Sequence, residues 1–380
     1  MKKYLFLLCL VVPVLACERL DDSPSDHADP QNLVYAATLT EVAELFSTLP
    51  IGSGQMAEVA DAVSASVGNG YDEEYTMKNL FESPGAGIGE DLTKGSVSYA
   101  EPLRDLVRTA AENRYRTKGG SSAEDFISML SSSDIQIYWP YSELWDGETL
   151  PVITSDPMDD ALRNVGYTLD GREVVVDEEM AMRRPVWVIN GNRDAAYKTL
   201  ELLRREDPSW GNGGGTVTVK SGGIKTLVLK SFQANRSFDS WFSGGSEFMV
   251  KCGSADGFDA RTDAELAIYS PTVTDFMIVV KRSQVGEVLP FNAVLVSEWT
   301  GSIESCAFLV VEDDGGSRTT WKCSAAVKYN SKTYGFEIEI PLYTKDDICW
   351  RGQLTRSFIE KYSGKEVSFG DLNLVLELVE

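Results

Sequence analysis

Carboxylates are the side chains of this chain with the number and spacing to do chemistry. Glu312, Asp313 and Asp314 stand in a row. Asp346 and Asp347 precede Ile348-Cys349-Trp350, and Asp256, Asp259 and Asp263 lie in a glycine-containing stretch. Asp239 and Glu247 bracket the segment Ser-Trp-Phe-Ser-Gly-Gly-Ser. Oxygen ligands gathered at loop tips hold Ca²⁺, a hard cation that takes six to eight of them. Asp239, Glu312, Asp313 and Asp346 are the calcium candidates, against the plainer reading that turn acids are simply hydrated. Paired carboxylates can also cleave glycosidic bonds, but among 58 acidic residues no pair stands out.

Other chemistries are excluded more firmly. The single histidine, His27, sits in a polar stretch. That removes Ser-His-Asp and Cys-His nucleophile systems and HExxH zinc sites. Gly85-Ala-Gly-Ile-Gly89 lacks the lysine of a phosphate-binding loop. Glu178-Glu179 beside Arg183-Arg184 reads as ion pairing. Trp139, Tyr141 and Trp145, with Glu143 and Asp146 among them, could stack on sugar faces; the alternative is that they cap a core, since large aromatics usually bury most of their area.

The elements that must position these residues follow from periodicity. Thr38 and Glu41 make a capping box for a first helix with Leu39, Val42, Ala43 and Phe46 on one face. Further helices are predicted over 55–66, 72–81, from Ser98 to about Arg114, and from Ser122 through Leu130. Then the period shortens to that of strands: 135–139, 150–154, a hairpin with Asp170-Gly171 as a two-residue turn, and 185–189. Leu200 to Arg205 reads as a last helical turn. From Lys225 onward strands recur at 226–232, 246–252, 264–270, 274–281, 291–296, 305–311, 319–329, 333–340 and 373–379, the rhythm of a β-sandwich. The fold class is therefore an α+β N-terminal domain followed by an all-β sandwich domain. Its boundaries are a signal peptide with lipobox (1–17), an acidic flexible tether (18–33), the α+β domain (34–205), a Gly-rich linker (206–223) and the sandwich (224–380).

Four cysteines, Cys252, Cys306, Cys323 and Cys349, all fall in the β-rich part. A two-residue turn at Asp314-Gly315 would face Cys306 with Cys323 at a non-hydrogen-bonded site, where side chains come closest. This predicts a Cys306–Cys323 disulfide and leaves Cys252 and Cys349 as the second pair.

The N-terminus carries the address. Lys2-Lys3 precede an apolar run from Tyr4 to Ala16, shorter than the roughly 20 residues of a membrane span. The run closes in Val14-Leu15-Ala16-Cys17, which resembles a bacterial lipobox. That resemblance implies lipid on Cys17 and anchoring to a membrane, since two or more acyl chains hold stably. The acids Glu18, Asp21, Asp22 and Asp26 behind it resemble the export signal of Bacteroidota surface lipoproteins. Outer-membrane anchoring with the surface slightly favoured over the periplasmic face is what this implies.

Removal of Lys2 and Lys3 leaves 33 basic residues against 58 acidic ones, a net charge near −25. So acidic a body does not suit nucleic acid. The layout as a whole resembles uncharacterised exported lipoproteins of Bacteroidota, and Asp239 to Glu247 entering a strand is similar to C2-like or immunoglobulin-like sandwiches. The first functional reading is a membrane-tethered, non-enzymatic binding or structural protein with a glycan or protein partner. The second is a glycan-binding accessory lipoprotein, and the third a His-independent carboxylate hydrolase. No organic cofactor is implied; calcium is the one ion the residues leave room for.

Overall fold

The computed structural model describes residues 30–90, 98–116, 122–158, 161–192, 197–207 and 224–380. The expected signal peptide with Cys17, most of the tether, and residues 208–223 of the linker lie outside the described residues.

The first helix, α1 (Pro30–Ser47), starts inside the stretch expected to be tether. Pro30 occupies its first turn, where a missing N–H costs nothing. Thr38 is therefore no cap: its hydroxyl donates to the Val34 carbonyl one turn back. α2 (Ser53–Gly68) follows. The helix expected over 72–81 is instead a short strand, β1 (Glu74–Thr76), running into α3 (Met77–Glu82). Thr76 caps α3 by accepting from Asn79 N. α4 (Leu103–Tyr115) and α5 (Ala123–Ser132) complete the helical layer, the latter starting where expected and closed by a Ser122–Asp125 capping box.

These helices cover one face of a six-stranded sheet. Its members are β1, β2 (Ile135–Tyr138), β3 (Val152–Ser155), β4 (Arg163–Thr168), β5 (Glu173–Asp177) and β6 (Val186–Gly191), in the order β1-β2-β6-β3-β4-β5. The β4–β5 turn holds three residues, because Thr168 closes on Arg172 and Gly171 takes a left-handed conformation. Alternation along the strands divides the side chains. Ile137, Ile153, Trp187 and Ile189 face the helices, whereas Tyr138, Val152, Val186 and Val188 face the opposite way. Trp241 and Phe242 lie against that second face. They come from far along the chain, and the Trp241 indole donates to the Leu162 carbonyl across 3.2 Å.

After the short helices α6 (Glu178–Ala181) and α7 (Leu200–Glu206) the chain is β-rich. β10 (Leu289–Trp299), β7 (Lys225–Ala234), β16 (Leu372–Val379) and β15 (Lys365–Phe369) form an antiparallel sheet in that order. A second is built from β9 (Thr272–Val280), β8 (Ser246–Ser254), β11 (Ile303–Glu312) and β14 (Asp347–Thr355), and β12 (Arg318–Tyr329) joins it through the start of β11. Leu227, Leu229 and Leu374 of the first sheet share one core with Phe248, Val250, Phe308 and Val310 of the second. On the other side of the second sheet, β13 (Lys332–Tyr343), paired with β12, sets Ile338 and Ile340 against Met249 and Leu309. The segment 264–270, expected as a strand, is mostly helix α8 (Asp263–Ile268). Thr262 and Glu265 form a capping box there, and it overrides the apolar run. α9 (Arg356–Tyr362), β14 and β15 were not foreseen.

The predicted disulfide is not formed. β8 and β14 occupy both edges of β11 from Ala307 to Glu312, so β12 reaches β11 only at Ile303 and Ser305. Gly315 and Gly316 both take positive φ, which opens the turn beyond two residues. Cys306 consequently lies opposite Leu354, and Cys323 opposite Ile338. All four cysteines are free thiols, Cys252 and Cys349 included. Cys252 is instead in contact with the Cys306 thiol; that contact, then burial, holds its pKa well above the ordinary value.

Candidate metal centre

The acidic run Asp72-Glu73-Glu74 is almost wholly buried: 0%, 0% and 3% exposed. Removing a carboxylate from water costs several kcal/mol unless partners replace the lost hydration. The chain reaches this place because α2 is capped by Asn69, and Gly70, with φ of +83°, turns it toward β1. Glu73 is satisfied locally: it accepts from Tyr141 N at 3.1 Å, Ser142 N at 2.8 Å and the Ser142 hydroxyl at 2.7 Å. Burial, with Glu143 and Asp72 close by, pushes its pKa up to about 9. Asp72 and Glu74 reach elsewhere. Asp72 Oδ2 accepts from Gly245 N at 2.6 Å, and Glu74 Oε2 accepts from the Asn192 amide at 2.8 Å.

The facing wall comes from the connection between β7 and β8. With Trp241 and Phe242 packed on the first sheet, Gly244-Gly245 passes directly over the Asp72 carboxylate. A side chain at Gly245 would meet Val280 O at 2.7 Å and Asp72 Oδ2 at 3.0 Å, so the close approach requires glycine. Asp239 precedes this crossing and Glu247 follows it, at the second position of β8. Arg282 fixes the Asp239 backbone by donating to its carbonyl at 2.9 Å, and pairs with Glu178 at 2.9 Å. Glu312, the last residue of β11, is 1% exposed.

Five carboxylates are thereby collected. Asp72, Glu74 and Glu247 offer oxygens within 4.8 Å of one another, and so do Asp239, Glu247 and Glu312. Burial raises the Asp72 pKa. Burial first, and then the adjoining Asp239 carboxyl, pushes Glu312 up to about 11. Asp72 Oδ1 and Glu312 Oε1 are among the buried oxygens with no hydrogen-bond donor. An all-oxygen, anionic donor set of this kind suits a hard divalent cation, Ca²⁺ before softer metals.

Comparison with family models, with curated proteins and with solved structures returned no match.

The sequence candidates divide as follows. Asp239 and Glu312 lie in the cluster. Asp313 and Asp346 adjoin each other instead and brace their own turns: Asp313 Oδ1 accepts from Gly315 N at 2.9 Å, and Asp346 Oδ2 from Tyr343 N at 2.7 Å. Asp256 is bound by the protein itself, through Glu298 N at 2.6 Å and the Ser297 hydroxyl at 2.7 Å. Asp72 and Glu74 were missed. Their signal was an acid triplet held between Tyr71 and Tyr75 directly after a glycine turn, a poor setting for a hydrated charge run.

Trp139 and Tyr141 form no exposed sugar platform. Trp139 is 1% exposed and belongs to the helical core, edge-on to Trp145 at 5.5 Å. The recess beside them measures 60 Å³, room for a few waters. Among the described residues no helix is long and apolar enough to cross a membrane.

Proposed function

We propose that this chain is a membrane-tethered, non-enzymatic binding or structural protein of the cell envelope, braced internally by a hard divalent cation. The tether in this reading is lipid on Cys17, behind the apolar run Tyr4–Ala16, with the folded body at the outer membrane and facing the surface. The β-rich part is read as a C2-like or immunoglobulin-like sandwich. One observation carries the cation: five carboxylates converge where the helical part meets the β-rich part, three of them 3% exposed or less. Against the enzymatic reading stands the burial of Asp72, Glu74 and Glu312, each 3% exposed or less. The glycan reading loses its platform with Trp139.

The test is a thermal melt of the mature chain in Ca²⁺ and in chelator. A ligand at 100 times its Kd adds about 2.7 kcal/mol, so the transition should rise by several degrees with Ca²⁺ and fall with chelator. An unchanged transition overturns the cation. Loss of acyl labelling and of membrane partitioning in Cys17→Ala is expected for the tether; unchanged partitioning overturns it.

A further inference from the structure

We propose that the carboxylate cluster takes two divalent cations, one held by Asp72, Glu74 and Glu247 and the other by Asp239, Glu247 and Glu312, with Glu247 as the shared ligand. This rests on the cation-braced reading and adds its stoichiometry and the division of ligands. Ca²⁺ binds oxygen at about 2.3–2.6 Å, so ligands of one ion lie no more than about 5 Å apart. Each set of three meets that limit at 4.8 Å, whereas the five do not close as a single set. Glu247 alone belongs to both.

A second observation is independent of these spacings. Each set contains at least one oxygen that the protein leaves without a donor, Asp72 Oδ1 in the first and Glu312 Oε1 in the second. They belong to residues 0% and 1% exposed, so bulk water cannot satisfy them. One ion could compensate one of these oxygens; two ions compensate both. A carboxylate has two oxygens and about four lone-pair sites, which lets Glu247 bridge as carboxylates do in two-metal centres with ions about 3.5–4 Å apart. Lys281 and Arg282 stand near Asp72 and face the negative charge that two doubly charged ions leave on five carboxylates.

The experiment counts calcium on the mature chain, stripped with chelator, reloaded with CaCl₂ and measured by elemental analysis and calorimetric titration. Two ions per chain are expected. Glu74→Gln and Glu312→Gln should each retain one ion, and Glu247→Gln should retain none. One ion on the wild-type chain overturns the shared-ligand assignment and leaves the braced reading standing; none overturns both. The wild-type count decides the question even where a variant fails to fold.

Discussion

The amide of Gly245 donates to the Asp72 carboxylate across 2.6 Å, joining residues 173 positions apart in the chain. The contact ties the end of the α2 turn to the start of β8. It also places Glu247 within reach of two sets of acids. Much of the molecule's behaviour should depend on this crossing.

Gly245→Ala tests it directly. The added carbon would press on the Val280 carbonyl and on Asp72. Overpacking of this kind costs about 1–3 kcal/mol, and backbone on one side leaves little room to yield. Urea denaturation should show that loss. Gly54→Ala in α2 meets open space and should instead stabilise by about 0.4–1 kcal/mol.

Trp241→Ala should cost more. The side chain is 3% exposed, packs on the sheet face of Val152, Val186 and Val188, and makes a ring contact with Phe242 at 3.9 Å. Truncation of such an aromatic typically costs about 3–5 kcal/mol. Chemical denaturation followed by fluorescence of the remaining tryptophans would measure it.

Glu58 sets a pH dependence away from the carboxylate cluster. It is fully buried in α2, accepting from Leu103 N at 2.7 Å and from the Tyr75 hydroxyl at 3.1 Å. Burial outweighs these bonds and raises its pKa above the ordinary 4.5. The folded chain therefore binds this proton more tightly than the unfolded chain. The stability it contributes is present below pH 4.5 and is lost as pH rises through the folded-state value. Glu58→Gln should flatten this part of the decline, read as the difference between wild-type and variant urea midpoints across a pH series.

The cysteines give a mapping prediction. Alkylation of the native chain followed by peptide mass analysis should modify Cys323 and Cys349, which are partly exposed, and spare the buried Cys252 and Cys306. In urea without reductant all four should react. Recovery of a disulfide-linked pair would contradict the free-thiol arrangement.

Local chemistry was the legible part of the sequence. Ser122 and Asp125 announce α5, and the spans 246–252 and 305–311 announce β8 and β11, which the fold buries on both faces. The failures came where a distant partner decided the outcome. Thr38 has the spacing of a cap, but Pro30 starts the helix earlier. Cys306 and Cys323 are symmetric about Asp314-Gly315, but β8 and β14 had already taken the edges of β11. At the site, Asp239 and Glu312 were legible because they sit near strand ends in an acidic, glycine-rich setting. Asp72 and Glu74 were not, because their role depends on a crossing made by residues far along the chain. Trp139 has the sequence setting of an aromatic among polar residues, yet it leaves β2 straight into the helical core.

The packing of Trp241 and Phe242 against the first sheet has a consequence for synthesis. A chain made from its N-terminus forms the helices and the six strands of that sheet before these two residues exist. Until they arrive, Val152, Val176, Val186 and Val188 have no cover from them. The helical part should therefore stay sticky and aggregation-prone while nascent, and a fragment cut in the glycine-rich stretch should be insoluble unless a peptide containing Trp241 and Phe242 is supplied.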